Sequence, residues 1–190
     1  MGNFALDEEW VGVSFIDQGL EFASYENCVF RQCQFTQCSL AKIQFSDCQF
    51  IECDLSMVEL NDTAFQKVAF LDCKLVGVHF EHCNPILLKV SFNRCQLNFA
   101  SYYQLNLKQT SFLNCQLKEA DFTETILIEA NFSGSDLEGT VFDNTDLENA
   151  DLSTAFHYKI NPQFNNVREA SFGINGLPGL LAQYKIRIVQ

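Results

Sequence analysis

Large apolar residues recur at every fifth position over most of this chain. They run from Phe15 to Phe80 without a break, and after one step of seven they resume at Leu87 and continue to Leu152. Two positions before most of them lies a small residue, usually Cys, Ala or Thr; Gln18, Ile43 and Leu105 depart from this rule, and the other three positions are mostly polar. This period fits neither the 3.6 residues per turn of a helix nor the simple alternation of a strand.

A period of five is explained if the chain turns a corner after each unit. When each unit forms one straight side, with its large and small residues pointing inward, four units close a square coil of about 20 residues. Residues 20 positions apart then stack, and one such column reads Phe30, Phe50 and Phe70. The pattern therefore predicts an all-β solenoid of about seven coils.

The five-residue unit resembles the motif of the pentapeptide-repeat family, which is a small residue, a polar residue, Leu or Phe, and two polar residues. Close matches are "ADFTE" (120–124), "ANFSG" (130–134) and "ADLST" (150–154). The resemblance implies a right-handed quadrilateral β-helix.

The extent of the repeat divides the chain into three parts. We expect residues 1–12 to form an N-terminal cap, residues 13–154 the β-helix, and residues 155–190 a C-terminal cap. The step of seven predicts a small bulge or loop at 81–86, where a proline cannot donate a ladder hydrogen bond. The residues of this loop considered for function are Glu81, His82, Asn84 and Pro85.

All nine cysteines occupy the small inward position. Cysteines five residues apart lie on different sides of the square, so no four of them converge on a tetrahedral zinc site. Stacked parallel side chains suit the torsion of a disulfide poorly. We therefore expect buried, free thiols that act as small apolar filler, and no metal site.

The charge balance and the absence of known motifs restrict the classes of function. There are 24 acidic and 12 basic residues, a net charge of −12, which argues against direct binding of nucleic acid or of an anionic membrane. No apolar run approaches the roughly 18 residues of a membrane span, and no export signal begins the chain. No phosphate-binding loop, dinucleotide fingerprint or nucleophile elbow appears. We expect a cytoplasmic protein that is not an enzyme and needs no cofactor.

Ten acidic residues and no basic residue lie between positions 119 and 151. Mapped onto a square coil they occupy all four sides, and we call them the acidic collar. They are the candidate partner-binding residues. The collar consists of Glu119, Asp121, Glu124, Glu129, Asp136, Glu138, Asp143, Asp146, Glu148 and Asp151.

The tail after the repeat is too apolar to be a free extension. Pro178 suits the first turn of a short helix, and "IRIVQ" (186–190) can form a strand. The tail is similar to the C-terminal helix and strand through which Qnr and MfpA proteins of the same family dimerise, so the resemblance implies a homodimer; the alternative is a monomeric cap. The dimerisation residues are then Leu177, Leu180, Leu181, Tyr184, Ile186 and Ile188.

An acidic rod can occupy a groove that is built for duplex DNA. B-DNA carries one negative charge per about 1.7 Å of axis, and seven coils at about 4.8 Å give a rod of roughly 34 Å. A charge of −12 is somewhat more than half of the DNA density over that length. Similarity to Qnr and MfpA implies binding to DNA gyrase or topoisomerase IV, with quinolone protection or inhibition as the outcome. The alternative is an interaction scaffold for an unrelated protein.

Overall fold

A computed structural model describes residues 4–187 and Val189 and has the form of a right-handed quadrilateral β-helix of about eight turns. The predicted all-β solenoid is therefore confirmed. The coil has one turn more than predicted, because pairing extends beyond the part of the chain where the motif is recognisable.

The strands are short, and nearly all of them pair in parallel with the coil above or below. Nine form one wound sheet and two form a second sheet near the C-terminal end. The strands are β1 Phe4–Leu6, β2 Glu9–Val11, β3 Ser24–Glu26, β4 Val29–Arg31, β5 Gln44–Ser46, β6 Gln49–Ile51, β7 Ala64–Leu71, β8 Lys89–Asn93, β9 Phe112–Leu113, β10 Asp151–Leu152 and β11 Ser171–Phe172. The remaining sides are joined by single parallel bridges.

The register between coils is the predicted 20 residues over most of the chain. In the pairing of β4 with β6, Phe30 stands opposite Phe50, and their rings stack with centroids 4.8 Å apart. Phe112 and Phe132 stack in the same way at 5.0 Å. Neighbouring sides meet edge to face, so the rings fill the interior in two favourable geometries.

Most corners are made by a residue in the left-handed conformation. Gln32, Glu52 and Asp72, each two positions after a large inward residue, have φ of 54°, 55° and 55°. This conformation is unfavourable for residues other than glycine. Here it is compensated because the corner N–H bonds to the next coil, as the N–H of Gln32 does to the carbonyl of Ile51 at 2.8 Å.

The strand ladder is longer than residues 13–154 at both ends. At the N-terminal end β1 and β2 pair with β3 and β4, and the ring of Trp10 stacks on Phe30 at 4.9 Å. At the C-terminal end β10 pairs with β11, and Asn166 bridges to Asp146. The cap roles of residues 1–12 and 155–190 stay predictions.

The chain leaves the regular coil after a 3-10 turn, Phe80–His82. The sequence pattern placed the next inward residue at Leu87, and this prediction is wrong. Lys89 pairs with Gln66, so Leu88 stands opposite Phe65 and packs on the core, whereas Leu87 is exposed. The connection between Phe80 and the next inward residue is thus one residue longer than predicted. The pairing of β7 with β8 accommodates it by a shift of register between Gln66 and Val68.

The C-terminal segment contains one short α-helix, α1 Leu177–Leu180, between two 3-10 turns, Ile174–Gly176 and Ala182–Tyr184. The predicted strand over 186–190 is not formed at the residues described there, because Ile186 and Arg187 belong to no strand. A strand needs a neighbour for its ladder hydrogen bonds, and the structure pairs neither of these two residues with any strand of the part of the chain that it describes. No helix in the described part of the chain is long and apolar enough to cross a membrane.

Candidate functional site

Stacking of the coils gives the rod four faces, which we number by their inward columns. Face 1 has Phe30, Phe50 and Phe70, face 2 has Leu97, Leu117 and Leu137, face 3 has Phe80, Tyr102 and Phe122, and face 4 has Leu107, Leu127 and Leu147. The residues beside each inward residue point outward. The corner residues lie between faces.

The structure places all ten residues of the acidic collar at the surface, exposed or half-buried. Asp136 and Glu138 flank face 2, Asp121 lies on face 3, and Asp146 lies on face 4. The carboxylates are spread over a convex surface rather than gathered in a cleft. Such an arrangement suits binding to a concave partner better than catalysis.

Basic residues from neighbouring coils compensate part of the collar. The ion pairs are Lys108–Glu129 at 3.5 Å, Lys118–Glu138 at 2.7 Å and Arg168–Glu148 at 2.5 Å. The ammonium of Lys118 keeps the pKa of Glu138 below its usual value. The sequence between 119 and 151 contains no basic residue, but basic residues from outside this range contact the collar in the folded protein.

Face 3 and its corners carry a group of acids without an ion pair. Glu59, Asp62, Asp121, Glu124 and Asp143 form no ion pair with any residue that the structure describes, and we call these five residues the face-3 acidic strip. Glu124 accepts a hydrogen bond from the neutral amide of Gln104 at 2.7 Å. The strip therefore keeps its negative charge.

The cysteines are free and buried. Their interpretation as apolar filler is incomplete, because thiols at this position donate to a backbone carbonyl of the preceding coil. Cys53 donates to Phe30 and Cys73 to Phe50, both at 3.3 Å, and the hydroxyl of Thr63 does the same at 2.8 Å. Burial raises the pKa of the Cys48 thiol to about 11, so little reactive thiolate forms at neutral pH.

The residues of the 81–86 loop lie beside a stacked histidine pair. The rings of His79 and His82 are 5.5 Å apart, and Nδ1 of His79 lies 2.9 Å from the Glu81 carboxylate. Asn84 accepts a hydrogen bond from the backbone of Ile86, which is almost fully exposed after Pro85.

A third histidine forms a cluster that the sequence pattern did not suggest. Asp136, Glu138 and His157 place their potential ligand atoms within 4.8 Å of one another. His157 lies 20 residues after Leu137, which Asp136 and Glu138 flank, so the 20-residue period contained this signal. It was missed because the motif is no longer recognisable at residue 157.

The predicted dimerisation residues do not all face solvent. Leu180 packs against the core, whereas Leu177, Leu181, Tyr184 and Ile186 are exposed. Ile188 lies outside the described residues.

The family model described as "Pentapeptide repeat region" matches residues 23–85 and 74–152. These matches cover more than half of the chain, and the protein belongs to the pentapeptide-repeat family. No curated protein matches its sequence.

Solved structures show the same fold at low sequence identity. HetL, a pentapeptide repeat protein involved in heterocyst differentiation regulation from the cyanobacterium Nostoc sp. strain PCC 7120, is 18% identical with a TM-score of 0.74, over 92% of this chain and 86% of HetL. A trypsin-treated form of QnrB1, a plasmid-mediated fluoroquinolone resistance protein, is 15% identical with a TM-score of 0.64, over 98% of this chain and 100% of QnrB1. At these identities the likeness concerns the fold.

Proposed function

We propose that this protein is a non-enzymatic DNA mimic that binds DNA gyrase or topoisomerase IV and modulates its activity. The proposal combines the acidic rod with the structural likeness to QnrB1, a fluoroquinolone resistance protein. A partner of this kind places the protein in the cytoplasm.

The observation that carries the proposal is the face-3 acidic strip. About eight turns at about 4.8 Å give a rod of roughly 38 Å, over which the net charge is −12. Basic residues pair with Glu138 on face 2 and with Glu148 on face 4, whereas none of the described residues forms an ion pair with the face-3 acidic strip. A basic groove that binds the phosphates of a duplex can contact such a strip without catalytic groups.

The proposal is tested by measuring supercoiling by DNA gyrase with increasing amounts of the protein, with and without a fluoroquinolone. We expect either inhibition of supercoiling or protection of the enzyme from the drug. Neither effect at micromolar protein, repeated with topoisomerase IV relaxation, would contradict the proposal.

We further propose that the protein is a homodimer joined at its C-terminal end. The support is the exposed apolar surface of Leu177, Leu181, Tyr184 and Ile186. Leu180, between the first two of them, packs against the core and holds this segment on the coil. Replacement of Leu181 and Tyr184 by Glu should give monomers by light scattering. Replacement of Met57 by Glu, at an exposed site on the coil, is the control and should leave the dimer intact. Dimers of the double variant would contradict this interface.

An interaction scaffold for an unrelated protein is the second candidate. It is favoured by exposed apolar side chains in one corner column of the coil, because Met57 and Phe99 are both more than half exposed and lie two coils apart in that column. Retention of an unrelated partner by the native protein, and its loss after replacement of Phe99 by Ser, would support this function.

A further inference from the structure

Three side chains that favour metal ions meet where the last two coils stack. Phe156 pairs with Asp136, so the next residue, His157, comes to lie beside the two carboxylates that flank Leu137. Nδ1 of His157 is 2.8 Å from the Asp136 carboxylate. We propose that Asp136, Glu138 and His157 bind a divalent transition-metal ion such as Zn²⁺.

The donor set matches the chemistry of such an ion. Zn²⁺ is bound by histidine nitrogen and by Asp or Glu oxygen at about 2.0–2.2 Å, and three protein ligands leave a fourth position for water. The histidine nitrogen favours zinc and its neighbours over Mg²⁺ and Ca²⁺, which prefer oxygen. The potential ligand atoms lie within 4.8 Å of one another, and the Glu138 and His157 side chains are 62% and 59% exposed and can therefore adjust to an ion.

A cation already lies between the two carboxylates. The ammonium of Lys118 is 2.7 Å from Glu138 and 3.5 Å from Asp136. The Lys118 side chain is 43% exposed, and an ion pair at the surface is weak, so the ammonium can move away from the carboxylates at a small cost in free energy. Lys118 thus acts as a tethered competitor of the metal ion, and its removal should strengthen metal binding.

The residue that follows His157 in the chain carries an unpartnered polar group. Tyr158 is only 3% exposed, and its hydroxyl has no hydrogen-bond partner among the described residues. Tyr158 lines a cavity of about 420 Å³ together with Glu138, His157 and Gly176, between the last coil and the C-terminal segment. The hydroxyl lies against Gly176. Glu138 and His157 thus lie at the wall of this cavity, where an ion bound to them has room to keep a water ligand.

The test is a calorimetric titration of the full-length, reduced protein with Zn²⁺, together with absorption spectroscopy of the Co²⁺ form. We expect one ion per chain and a Co²⁺ spectrum without thiolate charge transfer. Replacement of His157 by Ala should weaken binding by at least about tenfold, since even outer partners of a metal site contribute that much. Replacement of Lys118 by Met should strengthen binding severalfold.

Replacement of His82 by Ala is the matched control, because it removes another exposed histidine and should leave Zn²⁺ affinity unchanged. No Zn²⁺ binding by the native chain, equal affinity after replacement of His157, loss of binding in the His82 control or a thiolate spectrum would each overturn the proposal. Circular dichroism of each variant shows whether the coil is intact. The Lys118 variant tests the proposal while all three proposed metal-binding side chains stay in place.

Discussion

At the scale of single residues, the small inward position has two tasks. It must leave room for the large ring or branch beside it, and its polar hydrogen can bond to a carbonyl of the preceding coil. Cys115 and Ser135 occupy successive places in one column, and the hydroxyl of Ser135 donates to Phe112 at 2.7 Å while accepting from the backbone of Cys115 at 2.9 Å. Oxygen can therefore replace sulfur at this position.

Replacement of Cys73 tests this second task. A serine should keep the bond to the Phe50 carbonyl and stay within about 1 kcal/mol of the native free energy of unfolding, whereas an alanine loses the donor and should cost about 1–2 kcal/mol. Urea unfolding of the two variants measures the difference. An alanine variant as stable as the serine variant would show that the thiol is only filler.

The buried thiol of Cys48 also predicts how stability depends on pH. The pKa of Cys48 is raised by burial from 9.0 to about 11, so this thiol stays protonated in the folded protein at pH values where the unfolded chain releases its proton. A raised pKa contributes stability that is fully present below pH 9.0 and is lost as the pH rises through about 11. The urea midpoint should fall over this range, and replacement of Cys48 by Ala should reduce the fall. An identical pH profile for the variant would contradict the prediction.

At the scale of structural elements, the C-terminal segment packs closely on the last coil through glycines. A methyl group added at Gly176 would lie 1.9 Å from the Tyr158 hydroxyl, and one added at Gly179 would lie 2.1 Å from the Tyr158 carbonyl. The sequence pattern predicted the helix that begins near Pro178 but not this contact, because close packing between distant segments leaves no periodic signal.

Replacement of Gly179 by Ala should detach the C-terminal segment and leave the coil folded. The clash is with backbone, which cannot move aside as a side chain can, so a cost of about 1–3 kcal/mol falls on this segment. Limited proteolysis should then cut after residue 172. Replacement of Gly12 by Ala is the control: its φ of 67° strains an alanine at the N-terminal end of the coil, but the added methyl group meets no atom within 4 Å, so the C-terminal segment should stay protected. Equal protection of both variants would contradict the contact.

Much of the fold follows from the period of five, because like residues stack at 20 positions. The pattern could not predict where the ladder ends. Near its C-terminal end Asn165 takes the small inward place, and its amide donates to the Phe142 carbonyl at 3.0 Å. A buried asparagine is not expected from a pattern of small residues, so the last coil was assigned to a cap. The shift from Leu87 to Leu88 was equally hidden, since adjacent leucines fit either register.

At the scale of the whole molecule, charge is distributed unevenly around the rod. The collar was visible in the sequence, but its partial neutralisation was not, because Lys108 and Arg168 lie outside residues 119–151 and reach the collar from neighbouring coils. The four faces therefore differ in free charge, and face 3 carries the strip without ion pairs. The proposed mimicry therefore predicts that gyrase contacts the protein through face 3.

Neutralisation of the face-3 acidic strip tests whether face 3 is the surface that binds gyrase. Replacement of Asp121, Asp143 and Glu124 by their amides should weaken gyrase binding at least about tenfold and reduce its dependence on salt. The matched control replaces Glu8, Glu26 and Glu52, three exposed acids that lie off face 3, by their amides and changes the net charge equally. Equal weakening by both triple variants would mean that net charge alone matters and that face 3 has no special role.

The claim of DNA mimicry is tested most directly by competition. Fluorescence polarisation of a labelled DNA duplex bound to DNA gyrase is followed as the native protein is added, at two salt concentrations. We predict that the protein displaces the duplex. At the higher salt concentration, the amount of protein needed for displacement should rise. This rise should be larger than that for a second unlabelled protein ligand of gyrase that does not bind through charge. A duplex that stays bound at saturating protein would contradict the claim.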